Sequence, residues 1–427
     1  MKISIPLTGT RGDVQPAVAL GLELRRRGHD VVVGAPPNLL DFTRRAGLAA
    51  VPCGPDVAQL YSSEEGQRAL AAGSSLQLMR LVGQQMSEYA GQMNHEVIDV
   101  CRDADVVVAT LLTEDRAASV TEATGAPMVV VHGFPGRASR TYPFPGTLPP
   151  ARSFPRPVNR ATWAIAENLR RLVFLPYLNQ LRTDLGLRRS LATPSEMLSR
   201  RGVREIQIYD PALVPGLAEE WGDRRPLVGF LPLPREAREA IGEMADAHAD
   251  VLDWIAAGDP PLYCGFGSMP IRDAAATTAM VDDVARRLGL RILVSAGWSD
   301  LDAADHASSD RVKVTGALAH DVVFPLCAAA VHHGGIGTTF ESLRAGLPTL
   351  VCSVSFDQPM WGGQVTKLGV GAHIGFRDLD ADRLTAGVRT LLDPATVEAT
   401  RRLAAELAQR ADATVRTADY VEEAARG

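Results

Sequence analysis

Short apolar runs alternate with amphipathic stretches along most of this chain, and that alternation restricts the possible folds more than any other feature. The runs of the first half are Ile3–Ile5, Val31–Val33, Val106–Val108 and Met128–Val131. Those of the second half are Pro226–Leu231, Pro261–Phe266, Arg291–Ser295, Val312–Val314, Ala328–His332 and Thr349–Cys352. Strands that alternate with helices are typical of parallel sheets covered by helices. The sequence therefore predicts an α/β protein with two such sheets.

Two sheets imply two domains. At 427 residues the chain is long enough for two hydrophobic cores. The segment 209–226 carries prolines and charged residues between the two alternating patterns, so we interpret it as a linker. We expect an N-terminal domain at 1–208, a C-terminal domain at 227–400, and a final helical segment at 401–427 that is rich in alanine, glutamate and arginine.

The composition indicates an ordinary globular protein with a small-molecule role. Hydrophobic residues make up 46% of the chain and the formal net charge is −6, which gives no general attraction to nucleic acid or anionic lipid. No apolar segment approaches the roughly 18 to 20 residues of a membrane span, and Met1–Pro6 shows no signal peptide. Five widely spaced cysteines are typical of buried thiols in a reducing compartment. We therefore expect a cytoplasmic protein without stable membrane insertion and without a nucleic-acid partner.

A glycine-rich turn is the strongest candidate for a binding site. An apolar run ends at Val331, two histidines and the turn Gly334–Gly337 follow, and a helical pattern then begins. The first N–H groups of a helix have no partner within it and attract anions, and glycines let a ligand approach them. The donors expected to face a diphosphate come from His333, Gly335, Gly337 and Thr338. The alternative is a tight strand-to-helix turn with buried histidines.

Two common nucleotide-binding loops are excluded. A Walker loop ends in Gly-Lys-Ser/Thr, and a dinucleotide fingerprint reads G-x-G-x-x-G after a strand. Neither pattern is present, and none of the three lysines, Lys2, Lys313 and Lys367, lies in a glycine-rich loop. Kinase-like, ATPase and dehydrogenase functions are therefore disfavoured.

Two stretches at opposite ends of the chain resemble a known family. Residues 297–376, which include the glycine-rich turn and Asp357-Gln358, resemble the donor-binding signature of the UGT-type (family 1) nucleotide-sugar-dependent glycosyltransferases. Gly9–Pro16, which reads Gly-Thr-Arg-Gly-Asp-Val-Gln-Pro, is similar to the bacterial natural-product and sterol branch of that family. The resemblance implies a GT-B fold, in which two Rossmann-like parallel-sheet domains face a cleft, and a final helix that packs back on the N-terminal domain.

The resemblance implies that Asp13 is the catalytic base. A loop after the first strand faces the crevice where ligands of such folds bind, and a carboxylate there would take the proton of an acceptor hydroxyl. Plant members of the family use a histidine near this position, whereas Gly9–Pro16 contains none. From spacing alone a helix cap ahead of Pro16 is the better interpretation of Asp13. The resemblance instead favours the catalytic role over the helix cap.

The resemblance also implies a donor site in the C-terminal domain. Glu341 would bind the ribose hydroxyls, and Asp357-Gln358 would hold sugar hydroxyls. Ser268, in a small-residue turn after a strand, would add a hydroxyl at the diphosphate, or be a structural turn residue. The tryptophan with which the family stacks on the base is missing near Ala317-Leu318. Trp298 is the expected replacement, with a core role as the alternative, and the choice between uridine and thymidine stays open.

We expect the acceptor to bind against the N-terminal domain. His132 ends a predicted strand on the same face as Asp13, and Phe134 begins a long proline-rich loop with aromatic residues. Such loops are unusual in compact folds and are often functional, although a stiff surface connector is an alternative. The acidic pair Glu114-Asp115, which follows another predicted strand, would support Asp13 as a second carboxylate or be a solvated cap.

These observations and the resemblance lead to one hypothesis, an inverting glycosyltransferase. It would move a hexose or deoxyhexose from a UDP- or TDP-linked sugar to a hydroxyl of a lipophilic polyketide, glycopeptide or sterol-like acceptor. Three Asp-x-Asp patterns, such as that at Asp300, are too common in so acidic a chain to imply a metal. The helix start and His333 would stabilise the leaving group, so no metal or cofactor is expected. The alternatives are a nucleotide-sugar 2-epimerase of the same architecture and a non-catalytic nucleotide-binding partner protein.

Overall fold

A computed structural model describes residues 1–71, 75–243, 249–265, 274–295, 310–316 and 318–426 of the chain. The strands in these ranges form two six-stranded sheets. Every strand pairing in both sheets is parallel. The predicted α/β architecture with two parallel sheets is confirmed.

The first sheet has the strand order β3-β2-β1-β4-β5-β6. Its strands are β1 (Lys2–Pro6), β2 (Asp30–Ala35), β3 (Ala49–Pro52), β4 (Val106–Thr110), β5 (Met128–His132) and β6 (Glu205–Gln207). Ile3 of β1 is aligned with Val31 on one side and with Val106 on the other. The order of the chain therefore switches direction between β1 and β4, and loops that follow strands at such a switch form a ligand crevice.

The second sheet repeats this pattern with the order β12-β11-β10-β7-β8-β9. Its strands are β7 (Leu262–Gly265), β8 (Ile292–Ser295), β9 (Val312–Thr315), β10 (Ala329–His332), β11 (Thr349–Ser353) and β12 (Gly371–Gly375). Val331 of β10 is aligned with Cys264 and with Leu350. The switch lies between β7 and β10, so the glycine-rich turn after β10 is placed at the crevice of its own sheet.

Helices connect the strands and pack against the sheets. They are α1 (Arg11–Arg26), α2 (Leu40–Arg45), α3 (Val57–Ser62), α4 (Glu64–Ala71), α5 (Ser75–Glu88), α6 (Ala90–Cys101), α7 (Glu114–Thr124), α8 (Arg156–Asp184), α9 (Pro194–Arg200), α10 (Leu217–Trp221), α11 (Arg235–Ala240), α12 (Ala249–Ala256), α13 (Ala274–Leu288), α14 (His320–Val323), α15 (Ile336–Arg344), α16 (Gln358–Lys367), α17 (Ala381–Leu391), α18 (Pro394–Ala408) and α19 (Ala413–Arg426).

The packing of α1 fixes the position of Asp13. Val14, Val18 and Leu24 are fully buried in the first core, and residues at this spacing lie on one side of a helix. The basic residues of its last turn, Arg25 and Arg26, lie where the negative end of the helix dipole favours them. Since α1 is anchored along its length by this buried face, its first turn is held rigidly at the carboxyl end of β1.

The predicted strand at Pro226–Leu231 is wrong. This segment makes one isolated bridge, between Gln207 and Leu227, and Val228 packs into the core of the first sheet. Prolines lack the N–H group that a sheet ladder needs, and Pro226, Pro232 and Pro234 limit the segment on both sides. The chain therefore passes along the first core before it enters the second sheet.

The last helix also packs on the first core. Ala418 and Val421 of α19 are fully buried among residues of the first sheet. Arg27 donates to Asp419 over 2.8 Å, and His29 lies 2.9 Å from Glu422. In contrast, α18 packs against α15. The contacts of α19 are those that the resemblance implies for a final helix, and the numerical domain limits stay a prediction.

The cysteines form no disulfide. All five are buried free thiols, and burial raises the pKa of Cys53 and of Cys264 to about 12. Protonated, buried thiols are inert. No helix in the described ranges is long and apolar enough to cross a lipid bilayer.

A buried cluster of charged side chains joins β5, α7 and β6. Arg137 lies between Glu114 and Glu205 and donates to both carboxylates. Arg170 of α8 donates to Glu114 over 3.0 Å, and His132 Nε2 lies 3.1 Å from the same carboxylate. Burial alone would raise the pKa of Glu114, but the attraction of Arg137, His132 and Arg170 outweighs it and holds that pKa well below its ordinary value.

Replacement of Arg137 by methionine should destabilise the fold. Arg137→Met leaves two buried carboxylates without their shared cation, and loss of one partner of a buried ion pair costs about 3–5 kcal/mol. The lowered pKa of Glu114 contributes stability above its ordinary value of 4.5, and this contribution is lost as the pH falls. The free energy of unfolding, measured with urea, should therefore drop at neutral pH and drop less in acid.

Arg286→Met is the matched control for this experiment. Arg286 is 63% exposed and pairs with Asp282 on the surface of α13, where such pairs contribute about 0–1 kcal/mol. A loss for Arg137→Met that does not exceed that of the control would contradict the assigned role of the cluster.

Candidate functional site

Two cavities open side by side at the carboxyl ends of the two sheets. The first measures about 320 Å³ and is lined mainly by apolar side chains such as Val82, Met86 and Phe134; we call it the apolar cavity. The second measures about 280 Å³ and is lined by charged side chains such as Arg11 and Arg238; we call it the polar cavity. Both cavities are bordered by Gly12, Pro16, His333, Gly335 and Ile336. The first turn of α1 and the glycine-rich turn are therefore their common wall.

His332 and Gly334 fix the shape of the glycine-rich turn. His332 is fully buried; its Nδ1 accepts the Gly334 N–H over 3.0 Å, and its Nε2 lies 3.3 Å from Ser342 Oγ. Gly334 has a φ of 88°, and a Cβ at this position would lie 2.3 Å from Val351 Cγ1. Glycine is therefore required. This turn starts α15 so that its first residues, with their unpaired N–H groups, line the polar cavity.

His333, unlike its neighbour, borders both cavities. Its Nδ1 is buried and has no hydrogen-bond partner among the described residues. Burial lowers the pKa of His333 to about 4, so the ring is neutral at neutral pH. A buried ring nitrogen without a protein partner, at a cavity wall, is available to a ligand. Of the two histidines, the sequence analysis selected His333 as a ligand donor, and the structure places this one at the cavities.

The polar cavity contains the donor-site residues that were predicted around α15. Gly335, Gly337, Thr338 and Glu341 all line it. The Glu341 carboxylate accepts from Arg344 over 2.7 Å, so one of its oxygens is already engaged. This grouping places backbone N–H groups, a hydroxyl and a carboxylate along one wall.

Three further residues of the polar cavity were not singled out from the sequence. Arg11 pairs with Glu243 over 2.5 Å, and Arg238 pairs with Asp321. His320 lies on Phe324 with 4.4 Å between ring centroids and 11° between ring planes. Burial, followed by the charge of Arg11, lowers the pKa of His320 to about 4. His320 comes two residues after Leu318, near which the family's tryptophan is missing. Its place in the sequence could therefore have suggested that His320 belongs to the site.

Asp13 borders the apolar cavity next to the shared wall. Its Oδ2 accepts the Thr10 N–H over 2.8 Å and the Thr10 hydroxyl over 3.2 Å. Gly9 has a φ of 127°, and a Cβ there would lie 2.3 Å from this oxygen. Although Asp13 is open to solvent at the cleft, the protein around the cleft desolvates its carboxyl and raises its pKa against the opposing effect of the Thr10 bonds. Asp13 is thus both a helix cap and a cavity residue.

Asp357 lies on the opposite wall of the apolar cavity. Its Oδ2 accepts the Trp361 Nε1–H over 2.7 Å. Burial raises the pKa of Asp357 to about 6 despite this bond, and the charge of Asp13 contributes to the rise. Tyr61 lines the same cavity, and burial together with Asp13 and Asp357 raises its pKa to about 12. The two carboxylates are therefore close enough to influence each other across the cleft.

The loop before α16 directs Gln358 inward. Gln358 Oε1 accepts the Val354 N–H over 2.8 Å, which leaves the amide N–H groups for a ligand. Phe356 has a φ of 58° and is the one non-glycine residue with positive φ among those described. Its side chain is 36% exposed and borders the apolar cavity. Such a conformation costs about 1–3 kcal/mol and is typical of ligand-facing loops.

His132, which was predicted to contact the acceptor, does not line either cavity. His132 is buried with its ring between Glu114 and Gln207, whose nitrogen lies 3.2 Å from His132 Nδ1. No surface of the ring reaches either cavity, and Glu114 is committed to the same buried cluster rather than to Asp13. Phe134, the other acceptor residue predicted, does line the apolar cavity.

The predicted donor residues Ser268 and Trp298 lie outside the described residues. The structure also shows a wall of the apolar cavity that the sequence analysis did not interpret. It is formed by α3 and α5, which lie between β3 and β4 in the chain. Leu78, Val82 and Met86 of α5 line the apolar cavity. Their spacing of four residues is a helical signal that was available in the sequence.

Gly334→Ala should damage the site without removing any ligand-facing atom. The new Cβ would meet Val351 and would impose the left-handed conformation on alanine, so we expect a loss of about 1–3 kcal/mol in the free energy of unfolding and weaker anion binding at α15. Urea unfolding and calorimetric titration with pyrophosphate measure the two effects.

Gly91→Ala is the control for this substitution, because a Cβ at Gly91 in α6 meets nothing within 4 Å. Alanine should stabilise that helix by about 0.5–1 kcal/mol. If Gly334→Ala is as stable as Gly91→Ala, the requirement for glycine at the turn is refuted.

Comparison with known protein families accounts for most of the chain in two parts. Residues 3–143 match the model of the glycosyltransferase family 28 N-terminal domain. Residues 297–421 match the model of the C-terminal domain of erythromycin biosynthesis protein CIII-like proteins. The two matches contain the turn with Asp13 and the glycine-rich turn, respectively.

Solved structures share the fold at low sequence identity. The glycotransferase of kitacinnamycin is 20% identical, with a TM-score of 0.71, over 99% of this chain and 98% of that one. The glycosyltransferase VinC, solved in complex with dTDP, is 19% identical, with a TM-score of 0.68, over the whole of both chains. These similarities confirm the predicted GT-B fold.

Curated relatives extend over the whole chain. An uncharacterised glycosyltransferase of Mycobacterium tuberculosis is 37% identical over 429 residues, which cover 100% of this chain and 99% of the relative. A sterol 3-beta-glucosyltransferase of Arabidopsis thaliana is 28% identical over 411 residues, which cover 92% of this chain and 61% of the relative. The chain therefore belongs to the glycosyltransferases of the GT-B, family 1-like type.

Proposed function

We propose that this glycosyltransferase moves a hexose or deoxyhexose from a nucleoside-diphosphate sugar to a hydroxyl of a lipophilic natural-product or sterol-like acceptor. Relatives named as sterol glucosyltransferases and structures named for antibiotic glycosylation support the acceptor class. A structure named as a complex with dTDP supports the donor class. The single observation that carries the proposal is the junction of an apolar and a polar cavity at a wall that bears Asp13 and His333.

In this proposal the polar cavity binds the nucleotide. The first N–H groups of α15, the unpartnered nitrogen of His333 and the hydroxyl of Thr338 hold the diphosphate. The negative charge of that group would raise the pKa of His333 and favour its protonated form. Glu341 accepts from the ribose hydroxyls, and the neutral ring of His320 offers an aromatic surface for the base. No metal is needed for the leaving group, because these donors neutralise its charge.

The sugar then lies between the two carboxylates. Asp357 accepts from its hydroxyls and Gln358 donates to them, so the anomeric carbon faces the apolar cavity. Asp357 must be ionised to accept in this way, and its raised pKa makes that ionisation sensitive to mild acid. The acceptor lies among Phe134 and the side chains of α5, with its hydroxyl toward Asp13.

Transfer takes place in one displacement. The acceptor oxygen forms a bond to the anomeric carbon as the bond from that carbon to the diphosphate oxygen breaks, and Asp13 takes the hydroxyl proton. The nucleoside diphosphate leaves with the bonding electron pair, and the anomeric configuration is inverted. Because desolvation by the protein around the cleft raises the pKa of Asp13, its carboxylate is a stronger base than an ordinary aspartate.

Mass spectrometry of reaction products tests the proposed function. The enzyme is incubated with UDP- and dTDP-sugars against sterol, polyketide and glycopeptide acceptors, and also with each donor alone. We expect a product with the mass of acceptor plus sugar and release of nucleoside diphosphate. An epimerised sugar formed from donor alone would instead support a 2-epimerase, and nucleotide binding without turnover on any pair would support a non-catalytic protein.

Asp13→Asn should separate catalysis from helix capping. Asparagine keeps an oxygen that accepts the Thr10 N–H but cannot take a proton at neutral pH, so transfer should fall by about 10²–10⁴. The melting temperature and the affinity for nucleoside diphosphate should stay unchanged. In the parent enzyme the rate should fall as the pH drops through the raised pKa of Asp13, that is, above the ordinary value of 3.8.

Asp103→Asn is the control, since Asp103 lies on the surface and is 71% exposed. It should match the parent in rate, stability and pH profile. Transfer by Asp13→Asn at the parental rate, or a rate loss that follows a loss of stability, would remove Asp13 from the role of base.

A further inference from the structure

Helix α8 carries exposed apolar side chains that the proposed reaction does not use. They are Val158, Ile165, Leu169, Leu172 and Val173, with exposed fractions of 41%, 62%, 58%, 67% and 47%. At about 100° per residue, they lie within an arc of about 100° on one side of the helix. Trp163 and Leu181 are buried on the other side and hold α8 against the protein. We call the five exposed residues the apolar stripe; such a patch marks an interaction surface.

The segment that contains the apolar stripe is strongly basic. From Arg140 to Thr193 the chain has nine arginines, no lysine and two acidic residues, which gives a formal charge of +7. The whole chain has a charge of −6, so the remainder carries −13. From the negative net charge we expected no attraction to anionic lipid. Positive charge is nevertheless concentrated in this one segment. Six of these arginines are exposed: Arg140, Arg152, Arg156, Arg160, Arg188 and Arg189.

Helix α8, which carries the apolar stripe, contacts a segment that lines the apolar cavity. Arg170 follows Leu169 in α8, and it donates to the Leu111 carbonyl over 3.1 Å and to Glu114 over 3.0 Å. Leu111 and Leu112 line the apolar cavity, and Leu112 is 41% exposed. The turn of α8 that carries Leu169 is therefore bonded to the segment that borders the proposed acceptor site.

We propose that the apolar stripe and its arginines dock the protein on an anionic lipid bilayer, and that the acceptor enters the apolar cavity from that bilayer. A helix that lies in the membrane surface inserts its apolar side among the acyl chains and keeps basic groups at the headgroups. Arg140, Arg170 and Arg182 pair with carboxylates outside this segment, and its other exposed arginines complement an anionic surface. The route of the acceptor rests on the proposed function, whereas the docking does not.

A second copy of the chain fits this surface less well. In a two-fold symmetric dimer the same patch meets itself, so the apolar stripes could pair only by bringing two segments of charge +7 together. An anionic bilayer satisfies both the apolar and the charged part of the surface.

Vesicle sedimentation tests the docking. The full-length protein is mixed with vesicles of phosphatidylcholine alone, or of phosphatidylcholine with about 30% phosphatidylglycerol, and the bound fraction is measured at low and high salt. We expect binding to the anionic vesicles that weakens with salt. The double variant Leu169→Asp/Leu172→Asp should bind the anionic vesicles with an affinity at least about tenfold lower, since it places charge in the acyl region.

The double variant Leu326→Asp/Leu392→Asp is the control. These leucines are 42% and 37% exposed and lie in the second half of the chain, so their replacement should leave vesicle binding unchanged. Both double variants should keep the parental melting temperature and the parental rate on an acceptor presented in solution. With acceptor embedded in anionic vesicles, only the α8 variant should lose rate.

Three results would overturn the docking proposal. One is the absence of binding to anionic vesicles by the parent, and another is equal binding by the α8 variant. The third is a dimer of the parent that dissociates in the α8 variant, which would assign the apolar stripe to a second copy. If vesicles bind as expected but no sugar transfer occurs with any acceptor, the proposed function fails and the docking stands.

Discussion

The hydrogen bond from the Gly334 N–H to the buried His332 imidazole is the interaction on which the site depends. It holds the chain in a left-handed turn that no other residue type fits, and it sets the direction in which α15 leaves β10. Once that direction is fixed, His333 and the start of α15 face the cleft opposite Asp13. A neutral, fully buried histidine thus acts as part of the backbone framework, and its neighbour is free for a ligand.

The titratable groups at the cleft have shifted pKa values that suit the proposed diphosphate ligand. Burial keeps His333 neutral, and burial also raises the pKa of Asp13 and of Asp357. A diphosphate beside His333 would favour its protonated form, while neighbouring carboxylates resist ionisation together. Binding of the proposed diphosphate would therefore be linked to proton uptake.

The sequence predicted the two sheets because strands such as β4, β5 and β10 consist mainly of continuous apolar runs. The sequence analysis did not predict β3 and β6, which are short and mix apolar residues with polar residues or proline. It wrongly predicted a strand at Pro226–Leu231, whose apolar run packs on the core without forming a ladder of strand hydrogen bonds. The residues of the glycine-rich turn were found because their pattern is local. The burial of His132 and the positions of Tyr61 and His320 at the cavities depend on contacts between distant segments, which no local pattern records.

The bonds between Asp13 and Thr10 have a consequence for how the proposed base works. A side chain that is fastened to the start of its own helix cannot rotate freely, so its lone pairs keep one direction whether or not an acceptor is present. When the carboxylate takes a proton, its hold on the Thr10 N–H weakens. The protonation state of the proposed base is thereby linked to the stability of the first turn of α1 through a single threonine.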